Sequence, residues 1–236
     1  MFSINVPWND LFRFGQSLWD RHQQNSFSSA NQNRYHVKMV SNKDNNPEAE
    51  EALYDAKLLA RLDFSRSITK FNPPITAVNT GETWMKVRPL QVGDYDRGFL
   101  QLLSQLTSVG NVTRLQFVDR FRQMKNSGDY YVTVIEDTRS NQLIGAATLV
   151  IEHKFIHGCG NRARLEDVVV NNTYRGKQLG KLIVATVTLL AEYLGCYKMS
   201  LECKDSLVKF YTSIGYVLEP GNGNSMHIRY AEKSPS

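Results

Sequence analysis

The sequence predicts an α/β fold in which a mixed central sheet is flanked by helices. From residue 84 onward, short runs that alternate apolar and polar residues are interleaved with longer segments of helical apolar periodicity. The early strands follow one another through a turn, which makes them antiparallel, whereas a long helical segment separates the strands at 162–170 and 198–203 and predicts a parallel pair. A chain of 236 residues is long enough to bury a sizeable core.

The individual elements follow from periodicity and from residues that begin or end helices. The predicted strands are residues 84–90, 130–137, 143–156, 162–170, 198–203, 216–220 and 225–230. The predicted helices are residues 92–107, 113–128, 176–194 and 206–215. Thr113 is a candidate N-cap of the second helix, and Gly128, Gly195 and Gly215 follow the ends of the last three.

The charge and the cysteine content of the chain indicate which partners, metals and cellular compartment to expect. The net charge of +5 suits anionic partners, although a merely soluble basic surface explains it as well. The cations are not gathered into one aromatic-studded stripe, so we expect no nucleic-acid partner. Cys159, Cys196 and Cys203 show no metal-ligand spacing, so we expect no metal and a reduced compartment. Without an apolar run long enough to span a bilayer or a secretory signal, the sequence predicts a cytoplasmic protein.

Residues 1–50 differ in composition from the rest of the chain. Residues 20–50 are rich in Asn, Gln, Ser and charge, and are expected to be mobile. Residues 2–19 mix aromatic and polar side chains and could form an amphipathic helix that docks on the protein itself or on an endomembrane surface, although Asp10 and Asp20 disfavour the membrane. We therefore expect a mobile or loosely docked extension over 1–50 and one domain over 51–236.

The segment RGKQLGK, residues 175–181, lies at the junction of a predicted strand and a predicted helix. A helix N-terminus offers unpaired N–H groups and partial positive charge, which together bind phosphate. Gly176 and Gly180 would let backbone approach a ligand, and the neighbouring cations have the right sign. The residues alone leave an ordinary helix start with a solvated basic face as the alternative, because neither a P-loop nor a dinucleotide fingerprint is present.

Several segments together resemble the GNAT superfamily of N-acetyltransferases and, within it, the glucosamine-6-phosphate N-acetyltransferases of animals. They are QLTSVG at 105–110, KFIH at 154–157, EDVVV at 166–170, RGKQLGKL at 175–182, CYK at 196–198 and VKFYTSIGY at 208–216. The resemblance covers roughly residues 52–236. It implies the GNAT acyl-CoA N-acyltransferase fold and a homodimer. It also implies acetyl transfer from acetyl-CoA to the amine of D-glucosamine 6-phosphate, in amino-sugar metabolism that leads to UDP-N-acetylglucosamine.

The resemblance also implies three groups of site residues. The acetyl-CoA site would comprise Val168, Val169, Val170, Arg175, Gly176, Lys177, Gln178, Leu179, Gly180, Lys181 and Glu202. The sugar-phosphate site would comprise Thr107, Lys154, Phe155, Ile156, His157, Glu166, Asp167, Val168, Tyr197, Lys198 and Arg229. The catalytic residues would be Tyr211, Glu166 and Glu202.

The chemistry of these residue types suits their implied roles. A phenol, with a pKa of about 10, can donate a proton to a leaving thiolate whose pKa is about 8.5. An amine with a pKa of about 7.7–8.0 is already partly neutral, so no strong base is required, and a water relay to Glu166 or to backbone carbonyls would suffice. The resemblance implies that the Glu202 carbonyl accepts a hydrogen bond from the amine. Without the resemblance, a core tyrosine would be the favoured interpretation of Tyr211, and the cations of the phosphate site would be unrelated surface residues.

Two other functions stay open at this point. A peptide or protein N-acetyltransferase would need an acidic groove, and a non-catalytic acyl-CoA-binding module would not need Tyr211. The sequence also departs from the superfamily at two positions: Leu207 stands where many members carry Asn, and Gln178 replaces a glycine of the loop.

Overall fold

A computed structural model describes residues 49–174 and 176–221, together with Met226 and Ile228. Five strands form one sheet: β1 (Met85–Pro89), β2 (Tyr130–Asp137), β3 (Gln142–His153), β4 (Asn161–Val170) and β5 (Cys196–Ser200). The helices are α1 (Lys57–Ala60), α2 (Phe99–Leu103), α3 (Arg114–Ser127), α4 (Ile156–Cys159), α5 (Leu179–Tyr193) and α6 (Val208–Thr212). Short 3-10 turns cover Phe64–Arg66, Val92–Tyr95, Asn172–Tyr174 and Asp205–Leu207.

The sheet has the mixed topology that the sequence predicts. Its strand order is β1-β2-β3-β4-β5. The first four strands are antiparallel to their neighbours, and β4 pairs with β5 in parallel. Helix α5 is the crossover between the two parallel strands, as expected for a connection of this kind.

Two apolar clusters cover the two faces of the sheet. On one face, α5 contributes Leu182, Ile183 and Leu190, which pack in one cluster with Leu149 and Leu165 of the sheet. On the other face, α2 and α3 contribute residues to a second cluster, which includes Phe99, Leu102, Phe117 and Phe121. The sheet is therefore the middle layer of three, and its strand ends are held rigidly where the candidate site lies.

Helix α3 begins and ends where the sequence predicts. The Thr113 hydroxyl accepts a hydrogen bond from the Gln116 backbone N–H at 3.3 Å, and the Gln116 side chain accepts one from the Thr113 N–H at 2.8 Å. This reciprocal pair is a capping box. Gly128 ends the helix with a φ of 74°.

The predicted helix at 92–107 is wrong in extent. The segment consists of the 3-10 turn Val92–Tyr95 and the short helix α2. Between them Gly98 has a φ of 82°, in the left-handed region, which interrupts the helical path. The helices predicted at 176–194 and 206–215 are also shorter, and cover Leu179–Tyr193 and Val208–Thr212.

The predicted strands differ from the structure mainly towards the C-terminus. Strand β3 ends at His153, because His157, Gly158 and Cys159 turn the chain with positive φ angles of 54–65°. Strand β5 covers only Cys196–Ser200, and residues 216–220 form no strand. A strand needs a neighbour, and within the described part of the chain nothing pairs with 216–220.

Some predictions fall on residues outside the described ranges. They are the amphipathic helix at 2–19, the domain boundary near residue 50, most of the strand at 225–230, and the roles of Arg175 and Arg229. These stay predictions.

Candidate active site

The candidate site begins where β4 and β5 part. Strand β4 pairs with β3 along its whole length, from Asn161 to Val170. Its pairing with β5 ends much earlier, at Arg164 opposite Ser200. Over 165–170 the β5 side of β4 therefore has no strand partner among the described residues. Such an edge presents backbone N–H and C=O groups to which an extended amide chain can be added.

A bulge lies in this open part of β4. Val169 is opposite Ala146, but the next pair is Glu166 with Thr148, so β4 contains one residue more than β3 here. Asp167, within the bulge, has a φ of 51°, in the left-handed region. Bulges bend a strand and redirect its side chains, and this one lies where β4 and β5 separate.

The loop that follows β4 forms a cradle, which we define as residues 176–181. Gly176 has a φ of 86°, and a Cβ built there would meet nothing within 4 Å. Gln178 is also left-handed, with a φ of 58°, and α5 begins directly after it. The first N–H groups of this 15-residue helix have no partner within the helix, so the cradle suits an anion. The predicted Lys177 is exposed here, and Arg175 lies outside the described ranges.

Tyr211, the predicted proton donor, lies on α6 beside the opening. It is 8% exposed and packs against the rings of Phe210 and Tyr216, with centroids 5.0 and 5.8 Å away. Burial raises the pKa of its phenol above the ordinary value, and the nearby Cys203 contributes in the same direction. Tyr211, Glu202 and Cys203 line a common cavity of about 770 Å³. The structure therefore brings a protonated phenol and the predicted Glu202 to one space.

Helix α6 is also connected to the cradle. A Cβ built on Gly180 would lie 3.4 Å from Cζ of Phe210 and 3.9 Å from Cγ2 of Val170. Gly180 thus allows α5, α6 and the end of β4 to pack closely, in addition to leaving room near the first turn of α5.

Two arginines that the sequence-based site did not include line the same cavity. The Arg164 guanidinium lies 2.8 Å from Glu166, 3.6 Å from Glu202 and 3.9 Å from Glu152. Its pKa is raised, first by the hydrogen bond to Glu166. Arg162 donates to the Ser200 hydroxyl at 2.7 Å. The alternation in "RAR" places both arginines on one face of β4, and this was the signal that could have identified them.

The predicted sugar-phosphate residues are only partly brought together. The rings of His157 and Tyr197 lie 4.2 Å apart, and Lys198 pairs with Glu219 at 2.6 Å in the cavity wall. Lys154 pairs with Glu152 at 2.8 Å. In contrast, Phe155 and Ile156 are 97% and 63% exposed, and Thr107, in the turn that follows α2, does not line the cavity of Tyr211.

Within the described ranges, no group of His, Cys, Asp and Glu side chains is arranged to hold a metal ion. No described helix combines the length and apolarity that crossing a membrane requires. All three cysteines are free thiols.

Comparison with known proteins agrees with this geometry. The model of the acetyltransferase (GNAT) family matches residues 99–216. A Drosophila melanogaster protein named probable glucosamine 6-phosphate N-acetyltransferase is 73% identical over 183 residues, which are 78% of this chain and 84% of that protein. Glucosamine 6-phosphate N-acetyltransferase 1 of Dictyostelium discoideum is 42% identical over 52% of this chain and 79% of its own length.

A solved structure shows the same fold. The crystal structure of glucosamine-6-phosphate N-acetyltransferase from Arabidopsis thaliana is 36% identical, with a TM-score of 0.59 over 64% of this chain and all of the other. The fold and the family that the sequence predicts are confirmed. The chain belongs to the GNAT family of acetyltransferases and, within it, to the glucosamine 6-phosphate N-acetyltransferases.

Proposed function

We propose that the chain transfers the acetyl group of acetyl-CoA to the amine of D-glucosamine 6-phosphate. The products are N-acetyl-D-glucosamine 6-phosphate and CoA, and the reaction would supply UDP-N-acetylglucosamine synthesis in the cytoplasm. The observation that carries the proposal is the placement of Tyr211, which is buried, protonated and in one cavity with Glu202 beside the open edge of β4. The names of the similar proteins from Drosophila and Arabidopsis also specify glucosamine 6-phosphate as the acceptor.

The described residues fit acetyl-CoA as the donor. The cradle leaves space at Gly176 and offers the first N–H groups of α5 to the pyrophosphate. The free edge of Val168–Val170 can pair with the amides of the pantetheine arm as a further strand would. When bound, the co-substrate supplies a thioester whose carbonyl carbon accepts the amine.

The catalytic steps are assigned to three residues of the chain. The Glu202 backbone carbonyl accepts a hydrogen bond from the amine and directs its lone pair at the thioester carbon. Glu166, through a relay of water, receives the proton that the amine loses as the C–N bond forms. Tyr211 donates its phenolic proton to the sulfur as the C–S bond breaks, so that CoA leaves as a thiol. No covalent enzyme intermediate is needed.

Arg164 supports this arrangement from β4. It contacts the carboxylates of both Glu166 and Glu202, at 2.8 and 3.6 Å, and so ties Glu166 to the residue whose backbone carbonyl is proposed to accept from the amine. We assign Arg164 a positioning role in the same reaction.

The phosphate of the acceptor would be held by the predicted cations, Lys154, Lys198 and Arg229. We propose that the site is completed in a homodimer, because Val217 and Leu218 are 84% and 65% exposed beside the free edge of β5. A second chain could cover these apolar side chains and pair with that edge. The proposal does not depend on the placement of Arg229, which lies outside the described ranges.

A peptide acceptor deserves a direct test, because the cavity wall also carries Glu192, Glu202, Asp205 and Glu219. CoA release can be followed with a thiol-reactive dye, with glucosamine 6-phosphate, glucosamine and a lysine peptide as acceptors. We expect rapid release with glucosamine 6-phosphate and little with the other two. If CoA release with glucosamine equalled that with glucosamine 6-phosphate, the proposed phosphate site would be wrong. CoA release with the peptide alone would overturn the proposed acceptor.

A further inference from the structure

A group of aromatic and charged side chains lies beside the cradle, at the N-terminal end of β1. The Trp84 indole is contacted by two cations: the guanidinium carbon of Arg139 is 4.0 Å from its ring centroid, and Nζ of Lys177 is 5.1 Å from it. The ring of Tyr174 lies 6.2 Å from that of Trp84. We call Trp84, Asp137, Arg139 and Tyr174 the Trp84 cluster. Lys177 belongs to the cradle, and Tyr174 ends the 3-10 turn just before it.

The Trp84 cluster is fixed to the end of the sheet. Asp137, the last residue of β2, is 1% exposed and accepts a hydrogen bond from the Tyr174 hydroxyl at 2.7 Å. It also accepts from Arg139, at 2.7 and 3.0 Å, and these bonds hold the pKa of the carboxyl well below its ordinary value. The Trp84 carbonyl accepts from the Thr138 backbone N–H at 2.8 Å. The indole is thus a rigid surface next to a loop.

The two cations on the indole differ in how their charge is balanced. Arg139 is paired with Asp137. Lys177 forms no ion pair with a carboxylate of any residue in the described ranges. Its ammonium group lies over the ring of Trp84. An aromatic ring attracts an ammonium group through its quadrupole without neutralising it. Lys177 is therefore held in place while its charge stays available for an anion in the cradle.

We propose that Trp84 is a positioning residue for acetyl-CoA. Its ring holds the Lys177 ammonium, and through Tyr174 it orders the segment that leads into the cradle, before the pyrophosphate binds. Ordering a loop in advance lowers the entropy lost on binding and so increases affinity. The inference rests on the proposed function in one respect, which is that the ligand of the cradle is acetyl-CoA.

The first test replaces the ring. Trp84→Leu should raise the KM for acetyl-CoA about two- to tenfold, the range expected for loss of one cation–π contact and its ordering effect, with kcat within about twofold. Trp84→Phe keeps a ring face and should retain most of the affinity. Tyr193→Leu, which removes a half-exposed ring that accepts a hydrogen bond from Arg61, is the control and should leave KM unchanged. If Trp84→Leu does not fold, Trp84→Met takes its place.

The second test separates positioning from general damage. In a Lys177→Gln background, Trp84→Leu should raise KM clearly less than in the wild type, because the contact is already lost. With acetyl-pantetheine, which lacks the phosphates, Trp84→Leu should have no effect. An equal penalty in the Lys177→Gln background, or with acetyl-pantetheine, would overturn the proposal. Failure of the proposed function would give a different result: the wild-type protein would release no CoA with glucosamine 6-phosphate. The coupling between the Trp84 and Lys177 substitutions could then still be measured by calorimetry, as their effects on CoA affinity.

Discussion

Tyr211 is the residue whose replacement should affect chemistry most and binding least. Tyr211→Phe removes the proposed donor to sulfur and keeps the ring that packs against Phe210 and Tyr216. We expect kcat to fall by roughly ten- to a thousandfold, as for loss of one acid catalyst, with a small change in the KM for acetyl-CoA. Steady-state kinetics at saturating acceptor will measure this. Unchanged turnover would show that another group protonates the thiolate.

The alkaline limb of the pH profile belongs to the same residue. Because burial raises the pKa of Tyr211, its phenol stays protonated above the pH at which an exposed tyrosine ionises. As pH rises, the donor is lost only once that raised pKa is passed. The kcat profile should therefore show no Tyr211-dependent fall between pH 7 and about 10, the ordinary phenol value. A fall in that interval that disappears in Tyr211→Phe would contradict the assignment.

At the scale of residues, some of the candidate site could be predicted from the sequence. The contacts that depend on how the sheet folds could not. The types and spacing in 175–181 left an anion-binding loop and an ordinary helix start as alternatives, and the family resemblance favoured the loop; Gly176 has a positive φ, which suits such a loop. The contact of Arg164 with Glu202 could not be predicted. It joins β4 to the segment that follows β5, through a strand register that only the folded sheet defines, and the separation of the two residues in sequence does not indicate it.

The cradle at the start of α5 allows a prediction with a matched control. Gly176→Val forces a branched side chain into the left-handed region and disturbs the loop backbone. Gly128→Val does the same at the end of α3, where the φ of 74° and the open space are similar. Both variants should lose comparable thermal stability. Only Gly176→Val should weaken CoA binding, by about tenfold or more, as measured by calorimetry. Similar CoA affinity in the two variants would argue against the cradle.

Elements with strong local signals were predictable almost residue by residue. Helix α3 runs from its Thr113 cap to Gly128, and β2 covers the predicted Tyr130–Asp137. Residues 92–107 have a helical pattern, but the left-handed Gly98 divides them. A Cβ at this position would lie 2.7 Å from Oε1 of Gln142, which comes from another part of the chain. Tertiary contacts of this kind override periodicity.

At the scale of the molecule, the C-terminal segment should decide both assembly and activity. Met226 and Ile228 are 92% and 77% exposed, and Val217 and Leu218 are exposed to a similar degree. Deletion of residues 225–236 should abolish both a homodimer that persists at submicromolar concentration and the acetyltransferase activity. Sedimentation of the full-length protein and of the truncation, with activity measured on the same samples, will check this. If the truncated protein were a fully active monomer, residues 225–236 would belong neither to the dimer interface nor to the active site.

The overall architecture was predictable because its signals are redundant. Four consecutive strands and one long apolar crossover leave few topologies, and the long helical connection between β4 and β5 is typical of a parallel pair. The end of the chain was less predictable, since pairing of residues 216–220 requires a neighbour that the local sequence does not specify.

The separation of β4 from β5 also makes the site a molecular ruler. In the proposed reaction the cradle would bind one end of the donor and Tyr211 would mark the place of its sulfur, and the start of α5 and helix α6 set these two positions. Since both ends belong to rigid elements, a donor with a shorter or longer arm would bind in the cradle but present its acyl group out of reach of the phenol. The chain would thus select its donor by arm length as well as by charge.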